Sequence, residues 1–359
     1  MDLPRFKNPT PTLFALILLF HLSACASNGS SQPGTTQPGR LTNTSPGQAA
    51  LTETAAPLET STSAPSLPTG TETGYPLPTA ADIPDIEATA TLTPTIPPLP
   101  LTRLAVIGDF GLAGQPEADV AALVKSWEPE LIITTGDNNY PDGEAETIDA
   151  NIGQYYQAFI YPYQGEYGPG AEVNRFFPTL GNHDWTTNKA QAHFDYFELP
   201  NNERYYDFVW GSVHFFAVDS DSREPDGVGR SSIQAEWLKQ QLAASSAPWK
   251  IVYMHQPPYS SSSDGSIDWA QWPYQAWGAD LVIAGHSHVY ERLLIDGFPY
   301  FVNGLGGGPI YAFDQPVPGS QVRFNADYGA MLVEATPEKI TLQFITRGFE
   351  VIDTYSISR

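Results

Sequence analysis

LIITTGDNNY, residues 131–140, is a short apolar run that stops abruptly at a glycine and an acid. A run bounded so sharply reads as a buried strand, and the polar residues just past its C-terminal end stand where open α/β sheets place ligands. The pattern recurs outward from there. Residues 104–107 lead into Gly108-Asp109-Phe110-Gly111, 250–254 into His255, and 281–284 into Gly285-His286-Ser287-His288. Gly181-Asn182-His183-Asp184 has the same make-up, and 213–218 is a further strand candidate. Helical patterns lie between them at 117–127, 148–159 and 231–242, the last opening on serines suited to capping. Strand alternating with helix implies a layered α/β fold. After Arg292 the chain is mostly strand-like, at 300–303, 328–335, 340–345 and 349–357, which points to a second, more antiparallel sheet beside the first.

Five loop segments thus put a metal-capable side chain just beyond a strand, and four open with Gly, which lets the backbone turn sharply. Four of the seven His in the chain lie in them. Carboxylate, phenolate, amide and imidazole without thiolate form a hard to borderline donor set suited to Fe, Mn or Zn, and not a zinc-finger set. A single Gly-Asp after a strand is usually a turn. Five such segments in series are not accounted for that way.

The order GDFG, GDNNY, GNHD, VYMH, GHSH resembles the calcineurin-like metallophosphoesterases, and the tyrosine of GDNNY narrows the resemblance to the purple acid phosphatases, including the tartrate-resistant acid phosphatases. It covers residues 101–359; GNHD resembles the small mammalian-type enzymes and GHSHVYER, ending at Arg292, the plant-type ones. The resemblance implies a four-layer α/β/β/α sandwich, two mixed sheets face to face with helices outside. It also implies a binuclear centre, with Asp109, Tyr140 and His288 on Fe(III), Asn182, His255 and His286 on a divalent Fe, Zn or Mn, and Asp137 bridging. A hard phenolate suits the trivalent ion, and neutral amide and imidazoles the divalent one. The implied reaction is hydrolysis of small phosphate monoesters by a metal-bound hydroxide. His183, next to Asn182 but outside the ligand slots, is then the proton donor, with Asp184 orienting it. A phosphodiesterase or nucleotide hydrolase on the same site is the enzymatic rival. The rival of another class is a non-catalytic metal-binding surface protein, which would have no need of His183. One departure stands out: where many family members have a second His shortly after the first of this loop, His255 is followed by QPPYSSSSDGS, leaving Asp264 or a serine to substitute.

Lys+Arg number 17 against 40 Asp+Glu, a formal charge of -23, so nothing supplies the clustered cations that nucleic-acid binding needs. The single Cys excludes an internal disulfide. Residues 1–25 carry Arg5 and Lys7, an apolar run at 13–22, and Leu22-Ser23-Ala24-Cys25. This reads as a secretory signal, and its last four residues resemble the lipobox of bacterial lipoproteins, so the expected location is extracytoplasmic, in the cell envelope or at the surface, with a lipid anchor on Cys25. Residues 26–100, rich in Thr, Pro and Ser, read as a disordered tether. Residues 101–359 hold all eight Trp and read as one catalytic domain.

Other candidates are assigned structural roles. His214, within an apolar run, reads as a packed core residue, and His193 as structural or surface. Trp269, Trp272, Tyr274 and Trp277 fit core packing or a cleft wall equally. The glycine-rich stretch 303–308 reads as a flexible turn, since no helix signature follows it, and Arg292 as a salt-bridging residue.

Overall fold

A computed structural model describes residues 101–359; the expected signal peptide with Cys25 and the tether, 1–25 and 26–100, lie outside the described residues. The chain runs β1 (Thr102–Ile107), α1 (Gln115–Ser126), β2 (Leu131–Thr134), α2 (Ala145–Ile148), α3 (Gln154–Tyr156) and β3 (Phe176–Pro178). It continues through α4 (Gln191–Tyr196), β4 (Tyr206–Trp210), β5 (Val213–Ala217), α5 (Ile233–Ala244), β6 (Trp249–Tyr253), α6 (Tyr274–Trp277) and β7 (Leu281–Ala284). The remaining strands are β8 (Tyr290–Ile295), β9 (Phe298–Asn303), β10 (Ser320–Phe324), β11 (Gly329–Ala335), β12 (Lys339–Thr346) and β13 (Val351–Ser358).

Two mixed sheets result, ordered β13-β12-β11-β1-β2-β3 and β10-β8-β9-β7-β6-β5-β4. The strands alternate between two cores, as a pleated chain must when both faces of its sheet are covered. Phe215, Ala217, Ile251, Tyr253, Leu281 and Ile283 join the core between the sheets. Their neighbours Phe216, Val252, Met254, Val282 and Ala284 pack on the other face, with Leu238 and Leu242 of α5 and Tyr274 of α6. α1 covers the first sheet through Val120, Ala121 and Val124. Helix, sheet, sheet and helix give the expected four layers. The Oγ of Ser232 caps α5 by accepting from the Ala235 N–H at 3.1 Å.

Two expectations are corrected. The C-terminal strands form no sheet of their own, because β8 to β10 join the second sheet and β11 to β13 the first. β2 occupies only one edge of β1, and β11, which buries Met331 and Val333, closes the other. The helix expected over 148–159 is broken by a π-type turn, Asp149–Gly153, and a 3-10 turn, Gln157–Phe159. Tertiary hydrogen bonds outweigh helical regularity there: Asn151 Nδ2 donates to Asn139 Oδ1 and Tyr140 O at 2.8 Å each, and Asp149 accepts from the hydroxyls of Tyr163 and Tyr196.

The sheets are tied by a buried polar bridge. Arg292 on β8 donates to Asp353 on β13 from Nε (2.6 Å) and Nη2 (3.2 Å), and the Tyr290 hydroxyl donates to the same carboxylate at 2.9 Å. The structural role expected for Arg292 is therefore observed. Asp353→Ala leaves a cation and a hydroxyl unpartnered and is expected to destabilise the fold by about 3 kcal/mol in urea unfolding. A loss below about 0.5 kcal/mol would rule the bridge out as an inter-sheet tie.

Candidate metal centre

Each of the five loops leaves the C-terminal end of a strand: Asp109 follows β1, Asp137 and Tyr140 follow β2, Asn182 and His183 follow β3, His255 follows β6, and His286 and His288 follow β7. The first three strands are parallel neighbours in one sheet and the other two in the second, so the packing of the sheets brings all five loops together. Three of these residues hold left-handed backbone, Asp109 (φ 54°), Asp137 (φ 51°) and His286 (φ 66°). Such a conformation costs on the order of 1 kcal/mol per non-glycine residue and persists where surroundings over-determine it. The Asp109 carboxylate itself holds His286 this way, accepting from its backbone N–H at 2.9 and 3.1 Å.

The seven expected ligands converge as two groups sharing Asp137. In the first, Tyr140 Oη lies 3.0 Å from His288 Nε2 and 3.1 Å from Asp137 Oδ2, with His288 Nε2 3.4 Å from Asp109 Oδ1. In the second, His255 Nε2 lies 2.9 Å from Asn182 Oδ1, 3.2 Å from His286 Nδ1 and 3.4 Å from Asp137 Oδ1. Asp137 presents one oxygen to each group. Even without Tyr140, one ligand atom each of Asp109, Asp137 and His288 lie within 4.8 Å of one another. Asp109 and Asp137 are buried, and among the described residues no Lys or Arg pairs with either. Buried carboxylates facing imidazoles, an amide and a phenol, without a cationic side chain, form a donor set that fits bound metal cations.

Contacts behind the donors fix their orientation. His255 Nδ1 donates to Thr135 O at 2.8 Å and His288 Nδ1 to Pro309 O at 2.5 Å, leaving both Nε2 atoms toward the centre. Tyr311 stacks on His288, ring centroids 4.1 Å apart. Burial opposes charge on His255, but the Asp137 carboxylate prevails and raises its pKa to about 10. His288 is raised in the same way, burial being outweighed by Asp109. His286 is lowered by burial and by His255. Burial and the two carboxylates hold the Tyr140 phenol well above its usual range. Asp137 is held below the ordinary carboxylate range, because His255 and His183 outweigh its burial.

His183 sits beside the donors. Its backbone N–H donates to Asp137 Oδ1 at 2.9 Å, its Nδ1 bonds Pro141 O, and its Nε2 lies 3.9 Å from Asp137 Oδ2. Asp184 does not orient it, which corrects the expectation. That carboxylate is buried and accepts from the Gly181 N–H (2.8 Å), the Asn138 N–H (3.1 Å) and Asn138 Nδ2 (2.8 Å), tying the second loop to the third. Burial and Asp137 push its pKa up to about 7 against those bonds. The glycine-rich stretch is no flexible turn either. Gly306 N–H donates to Gly108 O at 3.0 Å and Gly308 N–H to Asp109 O at 2.8 Å, strapping the Asp109 loop. A Cβ on Gly304 would collide with Ser287 O and Asp109 Oδ2, so only glycine admits this approach.

The remaining candidates settle elsewhere. His214 bridges Asp207 and Ser245 at 2.8 Å each, and His193 is buried beside Phe197. Trp272 and Tyr274 are core residues, whereas Trp269 is 44% exposed. After His255, Ser261 is bound to Glu291 and Ser262 to Ser287, while Asp264 is exposed and its charge reaches His286. A cavity of about 450 Å³ away from the donors is lined by Glu146, Asp149, Glu166 and Asp195, a wall that repels phosphate.

The family model described as calcineurin-like phosphoesterase matches residues 102–290. Purple acid phosphatase 15 of Arabidopsis thaliana is 29% identical over 221 residues, 53% of this chain and 40% of that protein. The chain thus spans less than half of that plant relative. Tartrate-resistant acid phosphatase type 5 of Mus musculus is 23% identical over 318 residues, 75% of this chain and 94% of that protein. Among solved structures, a purple acid phosphatase from yellow lupin (Lupinus luteus) seeds is alike in fold with a TM-score of 0.59 at 18% identity, covering 73% of this chain and 54% of that one. GAP50, the anchor in the inner membrane complex of Plasmodium, has a TM-score of 0.56 at 22% identity, covering 72% and 89%. With the family model matching more than half of its residues, the chain belongs to the calcineurin-like phosphoesterases.

Proposed function

We propose that this protein is a purple acid phosphatase-like hydrolase of small phosphate monoesters, working outside the cytoplasm and held to a membrane by a lipid on Cys25, with residues 26–100 as a tether and 101–359 as the catalytic domain. The observation that carries the reading is Asp137 presenting Oδ2 to Tyr140 and Oδ1 to His255, as a carboxylate shared by two sites does. In this reading Asp109, Tyr140 and His288 hold Fe(III), and Asn182, His255 and His286 hold a divalent Fe, Zn or Mn. A bound pair of ions supplies Lewis acidity, polarising the phosphoryl group and offsetting the charge that builds up as water displaces the leaving group. The protein's own residues do the rest. The bond from His183 Nδ1 to a carbonyl keeps a proton on Nδ1, so Nε2 is the atom that carries the exchangeable proton to the leaving oxygen. The N–H of His183 on Asp137 couples that ring to the shared carboxylate, and 35% exposure of its side chain keeps it open to substrate.

His183→Ala is expected to lower kcat by about 10²-fold or more for an alkyl phosphate and by much less for a nitrophenyl phosphate, whose leaving group needs no proton. Equal losses on both esters would remove His183 from the donor role. Metal loading offers a second check. At neutral pH the metal-free site is protonated on Tyr140 and on His255, whose pKa is about 10, so uptake must expel about two protons. Apparent metal affinity therefore rises with pH, more steeply below about 10 than above it, where only Tyr140 still has a proton to lose, and calorimetry in buffers of different ionisation enthalpy reads the release. Uptake without proton release would exclude these donors. Finally, Tyr140→Phe is expected to abolish visible colour in the iron-loaded protein; unchanged colour would contradict the phenolate assignment.

A further inference from the structure

The backbone carbonyl of Asn182 accepts a hydrogen bond from Arg223 Nη2 at 2.8 Å. Arg223 is itself gripped by the buried Asp221, Nε to Oδ1 at 2.6 Å and Nη2 to Oδ2 at 2.9 Å. That fork leaves Nη1 without a partner among the described residues. Arg223 lines a cavity of about 360 Å³ together with Lys189, Trp185 and Pro225. Lys189 makes no ion pair among the described residues, and it sits in a run of three left-handed residues, Asn188, Lys189 and Ala190 (φ 47°, 58° and 61°). Such a run is costly to hold and marks a segment fixed by its surroundings. Trp185 is fixed too, its indole N–H donating to Asp219 Oδ2 at 2.9 Å. In a chain of 40 acids and 17 bases, two cationic side chains therefore share one small, partly apolar cavity bordering the loop of Asn182 and His183.

We infer that this cavity receives the organic part of the substrate, and that the substrate class is phosphate monoesters bearing a second anionic group across a short apolar spacer. The inference rests on the reading of the metal centre as the phosphate site. A second anion gains charge-assisted hydrogen bonds from Arg223 Nη1 and Lys189 Nζ, while the spacer covers Trp185 and Pro225. A neutral organic group gains only the apolar part. The volume suits a single ring.

The test titrates the metal-loaded full chain with 4-carboxybenzylphosphonate and with benzylphosphonate, stable analogues that differ by one carboxylate. The carboxylate is expected to tighten binding about fivefold at low ionic strength, and less as salt is added. Lys189→Ala and Arg223→Met should each bring the ratio toward one. Because Arg223 also braces Asn182, Lys189→Ala is the decisive variant, and Lys339→Ala, the same charge removed on β12, keeps the full preference. Equal binding of both phosphonates by the unaltered protein, or a preference that survives Lys189→Ala, overturns the subsite. Turnover of the matching phosphate esters is scored separately: a retained phosphonate preference with no turnover of either ester supports the subsite and removes the hydrolase reading instead.

Discussion

Two carboxylates, Asp109 and Asp137, lie buried with no lysine or arginine paired to them among the described residues, and the rest of the domain is arranged around that charge. Burying an uncompensated carboxylate costs several kcal/mol, so the fold must surround the pair with groups that carry protons or yield them to cations. The imidazoles of His255 and His288 do so, each made more basic by the carboxylate it faces. Occupancy of the centre and stability of the fold are then one equilibrium: whatever binds the native donors and not the unfolded chain stabilises the native state.

The donors come from both sheets, which makes the relative position of the sheets a property of the site. The bridge from Tyr290 and Arg292 to Asp353 touches none of the donors, yet it joins the strand that follows His288 to the last strand of the other sheet. Packed interiors transmit displacement instead of absorbing it. A loosened bridge would therefore be felt as altered spacing between the donors of the first sheet and those of the second.

Most of the donor set was legible because its chemistry sits in side chains placed by simple rules. Apolar runs ending at Gly followed by Asp or His marked β1, β2 and β7, and the capping serine marked α5. What stayed hidden depends on the backbone or on partners far along the chain. Thr135, Pro141 and Pro309 orient three histidines through carbonyls, which any residue possesses. Alternation in β11 tells which face is buried but not that β1 is its neighbour. The role given to Asp184 failed because adjacency to His183 in sequence does not make adjacency of side chains. The glycine-rich strap was misread because its reason for being glycine is a loop nearly two hundred positions earlier.

That dependence on distant partners has a temporal side. Val106 pairs with Met331 and Leu104 with Val333, so the strand that carries the Asp109 loop lacks one whole edge until residues more than two hundred positions later are available. Long-range pairings of this kind slow folding and leave unpaired strand edges exposed meanwhile. No growing chain that stops short of β11 has a finished first sheet, and until then the strand that positions Asp109 has one open edge. On the proposed reading of the centre, a fully braced metal site would then come only once β11 has paired with β1.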